Sequence, residues 1–500
     1  MSSHSKKVLI IGAGFAGMSA ASFLAQKGWK VTVVEKNTLP GGRARKFEAN
    51  GFVFDMGPSW YWMPDTFERY FSMFGKKVSD FYQLQRLDPS YRVYFEKAQW
   101  DIPANYEALQ QLLESIEPGA AKALDGFMEE AKFKYEVGVG KLVHQPGQSL
   151  TELIDIDLFK GIFKLDVFQS MKKHIAKYFK HPYIQFLMEF PVLFLGALPE
   201  NTPALYSLMN YADIKGGTWY PEYGMYSIVK GMYELASSLG VEFKLGEEVT
   251  KIEVFNGVAK KAQTQVVATK ENKEYDFDIV VGAGDYHHIE SVLLEPAYQS
   301  YSKKYWDSRV MAPSSLLYYV GLNKKLPGVT HHSLFFDTDF GLHGKEIYTH
   351  PKWPTNPLFY ASVPSVTDPT VAPEGCENLF LLIPVAAGLE GDTEAVREKY
   401  FNDLIKRLEE KWGVNIMESI VYKRSFSVAD FKSDYHSFKG NAYGLANTLM
   451  QTANLKPSCR SKKVNNLYYT GQLTVPGPGV PPSLISGEVV ANLIDKNYSK

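Results

Sequence analysis

The distribution of apolar and small residues over positions 8–35 favours one structural reading. The run Val8-Leu9-Ile10-Ile11 is long enough for a buried strand and stops at Gly12-Ala13-Gly14-Phe15-Ala16-Gly17. Helix-compatible residues continue to Gln26, Gly28 breaks them, and a second β-branched run, Val31 to Val34, ends in Glu35. Strand, glycine-rich turn, helix, strand and acidic residue make up the dinucleotide-binding βαβ unit. Gly12 serves the tight turn, Gly14 the approach of backbone to a pyrophosphate, and Gly17 the close packing of helix on strand. The pyrophosphate belongs at the helix N-terminus, where Phe15 and Ala16 begin the first turn and unpaired N–H groups favour an anion. Glu35 is placed to accept hydrogen bonds from ribose hydroxyls. A secretory signal or a membrane span is the competing reading, because Lys6-Lys7 precede an almost wholly apolar or small stretch. Three glycines at this spacing and a strand pattern ending in a charge argue against both.

Other patterns extend the architecture. Leu316-Leu317-Tyr318-Tyr319-Val320 and Leu379-Phe380-Leu381-Leu382-Ile383 are continuous apolar runs suited to buried strands of a mixed sheet over a substrate cavity. A final helix is expected from Ser483 to about Ile494, apolar at Leu484, Ile485, Val489, Val490 and Leu493. Lysines alternate with large apolar residues over Leu158–Leu165 and again over Met171–Lys180, and Phe186–Leu198 is apolar apart from Glu189. Such a basic amphipathic stretch suits either a peripheral membrane contact or a helical subdomain with a solvated lysine face.

Composition narrows the class. A chain of 500 residues exceeds one compact core, and a formal charge of −1 gives no global attraction to nucleic acid. Two cysteines, Cys376 and Cys459, exclude a disulfide framework and leave no zinc-like spacing, so no metal is expected. No apolar run of spanning length lies outside the nucleotide unit, so the reading is a cytoplasmic protein that at most touches a membrane peripherally.

The glycine motif alone does not distinguish NAD, NADP and FAD. Glu35 disfavours the 2′-phosphate of NADP. After it come Lys36 and a second glycine turn, Gly41-Gly42-Arg43, in which Gly42 allows close backbone approach and Arg43 can neutralise a pyrophosphate. Phe54-Asp55-Met56-Gly57-Pro58-Ser59-Trp60 then ends a strand at a bend able to press backbone against a flavin ring. These features point to FAD. Trp60, Tyr61 and Trp62 follow the bend as candidates for a cavity wall.

With those residues in hand, the chain resembles the FAD-dependent carotenoid (phytoene-type) desaturases of the amine oxidase and phytoene desaturase superfamily. The Gly41-Gly42-Arg43 turn matches, as do Asp278 to Tyr286 with Gly284, the strand reaching Val249-Thr250-Lys251-Ile252, and Asn466 to Gly471 leading into Pro476 to Ser483. Pro221 to Met225, His332 to Phe336 and Val366 to Cys376 are also similar, so the resemblance runs the length of the chain. Gln472 to Val475 and Pro481 to Leu484 depart from it, standing where many phytoene desaturases have smaller residues.

The resemblance implies an α/β (α+β overall) fold with a discontinuous Rossmann-like FAD-binding domain at 1–75, 222–290 and 460–500. A mixed-sheet substrate domain at 76–150 and 291–459 and a helical, membrane-contacting subdomain at 151–221 complete it. Candidate cofactor-binding residues are Gly12, Gly14, Phe15, Ala16, Gly17, Glu35, Lys36, Gly42, Arg43, Met56, Gly57, Pro58 and Ser59, joined by Val249, Gly284, Gly471, Gly479, Val480, Pro481 and Ser483. The implied reaction is introduction of C=C bonds into an apolar carotenoid by hydride transfer to flavin, on phytoene or on a later, hydroxylated carotenoid as in 3,4-desaturation. An amine or protoporphyrinogen oxidase and a non-catalytic lipid-escort protein on the same scaffold are the alternatives. The residues name neither the electron acceptor, oxygen or a quinone, nor a catalytic acid or base. Asp213, Glu222 and Asp285 read more readily as capping or surface groups.

Overall fold

In the computed structural model, residues 6–147, 169–193, 196–452 and 455–498 are described. The βαβ unit forms as its pattern dictates: strand Lys7–Ile11, helix Phe15–Gln26, strand Lys30–Glu35. These two strands lie at the centre and flank of a five-stranded all-parallel sheet. Its order in space is 467–469, 279–282, 7–11, 30–35, 242–245. The central strand registers Ile10 between Val281 and Val33, so its side chains are buried on both faces, as parallel sheets require.

The helix Phe15–Gln26 is small and apolar on all sides because it is covered on two of them. The helix Tyr226–Ser238 packs on one flank and the last helix, Val480–Tyr498, on another. The second crossing is tight. A Cβ on Gly487 would lie 2.5 Å from the Ala16 carbonyl oxygen and 2.6 Å from Ser19 Cβ. Ser19 Oγ donates to the Leu484 carbonyl across the same interface at 2.7 Å.

A seven-stranded mixed sheet forms the second layer, ordered 420–426, 314–322, 377–385, 359–362, 332–336, 91–95, 99–102. Every residue of Ser314–Leu322 is buried, because each face has its own cover. Leu316, Tyr318 and Val320 face the core shared with the helix Glu394–Trp412, whereas Leu317 and Tyr319 point to the opposite core, the period of two that a strand imposes. A three-stranded antiparallel sheet, 247–255, 258–266 and 272–276, lies beside the parallel sheet.

The lysine-rich region divides. Leu158–Leu165 lies outside the described residues. Met171–Tyr178 is a helix that buries Met171, His174 and Ile175 and exposes Lys172, Lys173 and Lys177. Leu187, Met188, Phe190 and Val192 join the main core. The apolar faces described here are turned into the protein, and the lysines form its outer surface. Among the described residues no helix is long and apolar enough to cross a membrane.

Candidate functional site

A cavity of about 360 Å³ opens at the carboxyl ends of the parallel strands, where open α/β sheets bind ligands. The two glycine turns form its floor and face each other. Gly12 adopts φ +108°, and a Cβ there would press on the Ala283–Gly284 backbone at 3.1 Å, so only glycine is tolerated. Among the described residues Gly14 has no atom within 4 Å of where a Cβ would stand, which leaves its backbone open to the cavity. Gly41 N–H donates to the Ala13 carbonyl at 2.8 Å, and a Cβ on Gly42 would lie 3.3 Å from Gly14 Cα. The first intrahelical bond runs from Met18 N–H to Gly14, so the N–H groups of Phe15, Ala16 and Gly17 precede the ladder.

Arg43 enters the cavity beside this floor. It donates to Ser437 Oγ at 2.9 Å and to the Asn441 carbonyl at 3.3 Å, and its guanidinium lies 5.5 Å from the Tyr435 ring centre. With its amide oxygen turned to the guanidinium, Gln472 accepts from both terminal nitrogens, at 2.9 and 3.0 Å. The Nε–H is shielded from solvent and has no acceptor among the described residues. Burial pulls this guanidinium below its ordinary range, against the opposing pull of Asp285. Asp285 is itself pushed up by burial, while its two oxygens accept from the backbone N–H groups of His288 and Phe438. A cradle of bare backbone, a helix N-terminus and a buried leftover cationic donor fit the pyrophosphate of a dinucleotide.

Glu35 does two things at once. Its Oε2 accepts from the Ala13 N–H at 2.8 Å, and Oε1 accepts from the backbone and side-chain N–H groups of Asn37 at 2.9 and 2.8 Å. A carboxylate offers about four acceptor sites, so one remains on Oε2 for a ribose hydroxyl. Lys36, Glu248 and His436 close this end: His436 Nε2 is 2.6 Å from Glu248 Oε1, and Lys36 Nζ donates to the Ser433 carbonyl at 2.6 Å. His288 stacks on His436 at 4.0 Å, and burial, with His436, Lys36 and His287 beside it, lowers its pKa to about 3.

At the other end the bend Met56-Gly57-Pro58-Ser59 lines the wall, held by the Tyr319 hydroxyl donating to the Met56 carbonyl at 2.7 Å. Gly57 admits no Cβ, which would collide with the Arg43 carbonyl. Val249, Gly284, Gly471, Gly479, Val480 and Ser483 complete the lining. Of the residues singled out from sequence, Gly17 and Pro481 do not line the cavity. Gly17 is pressed against the Gly12 carbonyl, where it allows the helix to seat. The last helix starts at Val480 and not at Ser483, because prolines fit a first helical turn whose N–H groups need no intrahelical partner. Ser483 N–H already bonds the Gly479 carbonyl at 3.0 Å.

Only Trp60 of the aromatic triplet faces the cavity. Tyr61 is buried against Phe67 with its hydroxyl 3.0 Å from that of Tyr82, and Trp62 donates to Thr218 at 2.9 Å. Asp213 is buried outside the site, bonded to Tyr91 and Thr218, and desolvation raises it to about 6. Glu222 is exposed. Sequence reasoning missed the segment between Phe431 and Tyr443, which supplies Asp434, Tyr435 and His436 to the lining, and it missed Tyr360. No local motif marks these residues; their only trace is a density of Tyr, His and Asp in an otherwise ordinary helix-loop stretch.

Comparison with known proteins places this geometry. Residues 15–495 match the family described as flavin containing amine oxidoreductase. The carotenoid 3,4-desaturase of Haloarcula japonica is 40% identical over 489 residues, 97% of each chain. The chain belongs to the carotenoid desaturases of that family. A zeta-carotene-forming phytoene desaturase of Myxococcus xanthus is 29% identical over 98% of this chain and 94% of its own. An oxidoreductase structure from Methanosarcina mazei shares the fold, with a TM-score of 0.61 at 17% identity, covering 97% of this chain and 100% of that one. Like the family, this desaturase is an FAD-dependent oxidoreductase with a Rossmann-like cofactor fold.

Proposed function

We propose that this protein introduces C=C bonds into a carotenoid, with a 3,4-desaturation of an already unsaturated carotenoid as the leading reaction. The observation that carries the reading is a second, apolar cavity of about 70 Å³ that shares Tyr360, Leu382 and Tyr443 with the cofactor cavity. It continues between Phe190, Leu334, Phe336, Phe340, Ile347 and Leu358, a lining suited to a hydrocarbon chain. The Haloarcula relative, alike over nearly the whole chain, supports the choice of reaction.

Gly12, Gly14, Phe15, Ala16, Gly42 and Arg43 would hold the pyrophosphate, with Glu35, Lys36 and Val249 on the adenosine side. Met56, Gly57, Pro58, Ser59, Gly284, Gly471, Gly479, Val480 and Ser483 would face the ring. Gly17 and Pro481 would act from behind this shell, through helix seating and the first turn of the last helix. Bound FAD supplies a two-electron acceptor. The chain itself excludes water with Trp60, Tyr360, Leu317 and Leu382, and aims the N-terminus of the last helix at the place where negative charge develops. The strand positions support a cofactor unit of 1–75, 222–290 and 460–500 under a sheet unit of 76–150 and 291–459. The exposed Lys172, Lys173, Lys177 and Lys180 support delivery of substrate from an anionic membrane surface by the 151–221 region.

The test is incubation of the FAD-loaded protein with liposomes containing phytoene, lycopene-type carotenes or hydroxylated carotenoids, followed by absorption spectroscopy. A red shift from lengthened conjugation is expected with at least one of them. Absence of new double bonds across the panel, with amine oxidation in its place, would overturn the reading.

A further inference from the structure

The wall shared by the two cavities contains a hydrogen-bonded pair that the cofactor does not need. His332 lies opposite Ser362, and Leu334 opposite Tyr360, in the antiparallel pairing of 332–336 with 359–362. His332 and Tyr360 are therefore diagonal neighbours on one sheet face, and their side chains meet: the Tyr360 hydroxyl is 2.6 Å from His332 Nδ1. Trp60 stacks on the imidazole at 4.2 Å and 11°, fixing its plane. The Ser59 and Ser362 hydroxyls lie near the Tyr360 phenol and oppose the upward pull of burial on it. His332 Nε2 is shielded, with no hydrogen-bond partner among the described residues. Tyr360 and Ser59 line the cofactor cavity, and Tyr360 also lines the apolar one, so Tyr360 stands at the junction that a hydrocarbon chain would cross in passing from one to the other.

Desaturation removes two hydrogens in chemically different forms. One C–H bond breaks with its electron pair, which leaves as hydride to the flavin. The C–H on the neighbouring carbon gives its pair to the new π bond, and its proton needs an acceptor. We propose that Tyr360 and His332 are that acceptor: the Tyr360 oxygen takes the substrate proton as its own phenolic proton passes to His332 Nδ1. This rests on the desaturase reading above. Both groups start neutral, as the transfer requires. Burial raises the phenol, with Tyr443 adding to the effect, and burial with His331 beside it lowers the imidazole. His331 in turn faces Thr367, its Nδ1 2.8 Å from Oγ1, and Asp368. The serine hydroxyls beside the phenol oppose the rise that burial imposes on it. A weak base suffices, because loss of hydride makes the adjacent C–H strongly acidic.

The test is anaerobic single-turnover reduction of the bound flavin by a carotenoid in liposomes, in H₂O and D₂O, for wild type, Tyr360→Phe and His332→Gln. Flavin absorbance gives cofactor content, and the ¹⁵N resonance of the His332 ring reports the hydrogen bond without turnover. Tyr360→Phe is expected to keep its FAD, shift the His332 resonance, slow flavin reduction about 10²-fold and abolish the solvent isotope effect. His332→Gln is expected to slow it at least 10-fold and diminish the same isotope effect. Wild-type rates and isotope effects in Tyr360→Phe would overturn the dyad and leave the desaturase reading standing. A wild-type protein whose flavin no carotenoid reduces would overturn both.

Discussion

The floor of the cofactor cavity and its apolar wall solve different problems with different materials. At the floor, recognition is done by backbone: Gly12, Gly14 and Gly42 present bare main chain, and Glu35 spends three of its contacts bracing the turn it serves. At the wall, Tyr360, Leu382, Leu317 and Trp60 converge from separate strands and a loop, and side-chain volume and hydroxyls do the work. Backbone recognition tolerates almost no added atom. A wall of side chains tolerates exchange and answers by changing what fits.

Gly17→Val tests the floor hardest. Its Cβ has no room beside the Gly12 carbonyl, so a loss of about 3 kcal/mol or more and of FAD content is expected in thermal melts and absorbance. Arg43→Met tests the charge beside it. FAD affinity should fall about 10²-fold, as for a lost charge-assisted bond, and the apo melting temperature should also fall, because the bonds to Ser437 and Asn441 and the field on buried Asp285 are lost with the cation. At the wall, Leu382→Phe should narrow the junction of the two cavities. Turnover of a long carotenoid should drop about 10-fold with FAD affinity unchanged within twofold, the opposite of Arg43→Met.

Asp213 lies in neither region and gives a pH control. Its carboxyl titrates near 6 when folded against 3.8 unfolded, so the protonated form favours the native state. That contribution is complete below about 4 and is lost as pH rises through about 6. Asp213→Asn should therefore gain on wild type across this window by about 3 kcal/mol and run parallel to it above. The smallest effect belongs to Lys172→Glu, whose bridge to Glu200 is about half exposed at both ends. Stability should change by less than about 0.5 kcal/mol, whereas binding to anionic vesicles should weaken if this face meets a membrane.

The same contrast explains what was legible beforehand. The βαβ unit, both glycine turns, the strand before Gly284 and the bend at Gly57 follow from local sequence, since each needs particular residues to make its own backbone conformation. The last helix starts three residues before Ser483 because prolines mark a boundary without saying on which side the helix lies. Asp434, Tyr435, His436 and Tyr360 were invisible for another reason. Arg43 and Ser437 are 394 positions apart, and nothing near either one announces the other. The aromatic triplet shows the limit within three residues: the pattern marks Trp60, Tyr61 and Trp62 alike, and only the bend decides which ring meets the cavity.

The crossing of the first and last helices has a temporal consequence. Ser19 and Leu484 are bonded across 465 residues, and the edge strand of the parallel sheet, 467–469, comes from the same late stretch. During synthesis the helix that follows the first glycine turn is made long before its partner, so this contact of high sequence separation forms late. Firm seating of the helix behind the glycine turn therefore waits on a contact with a stretch 465 positions further along the chain.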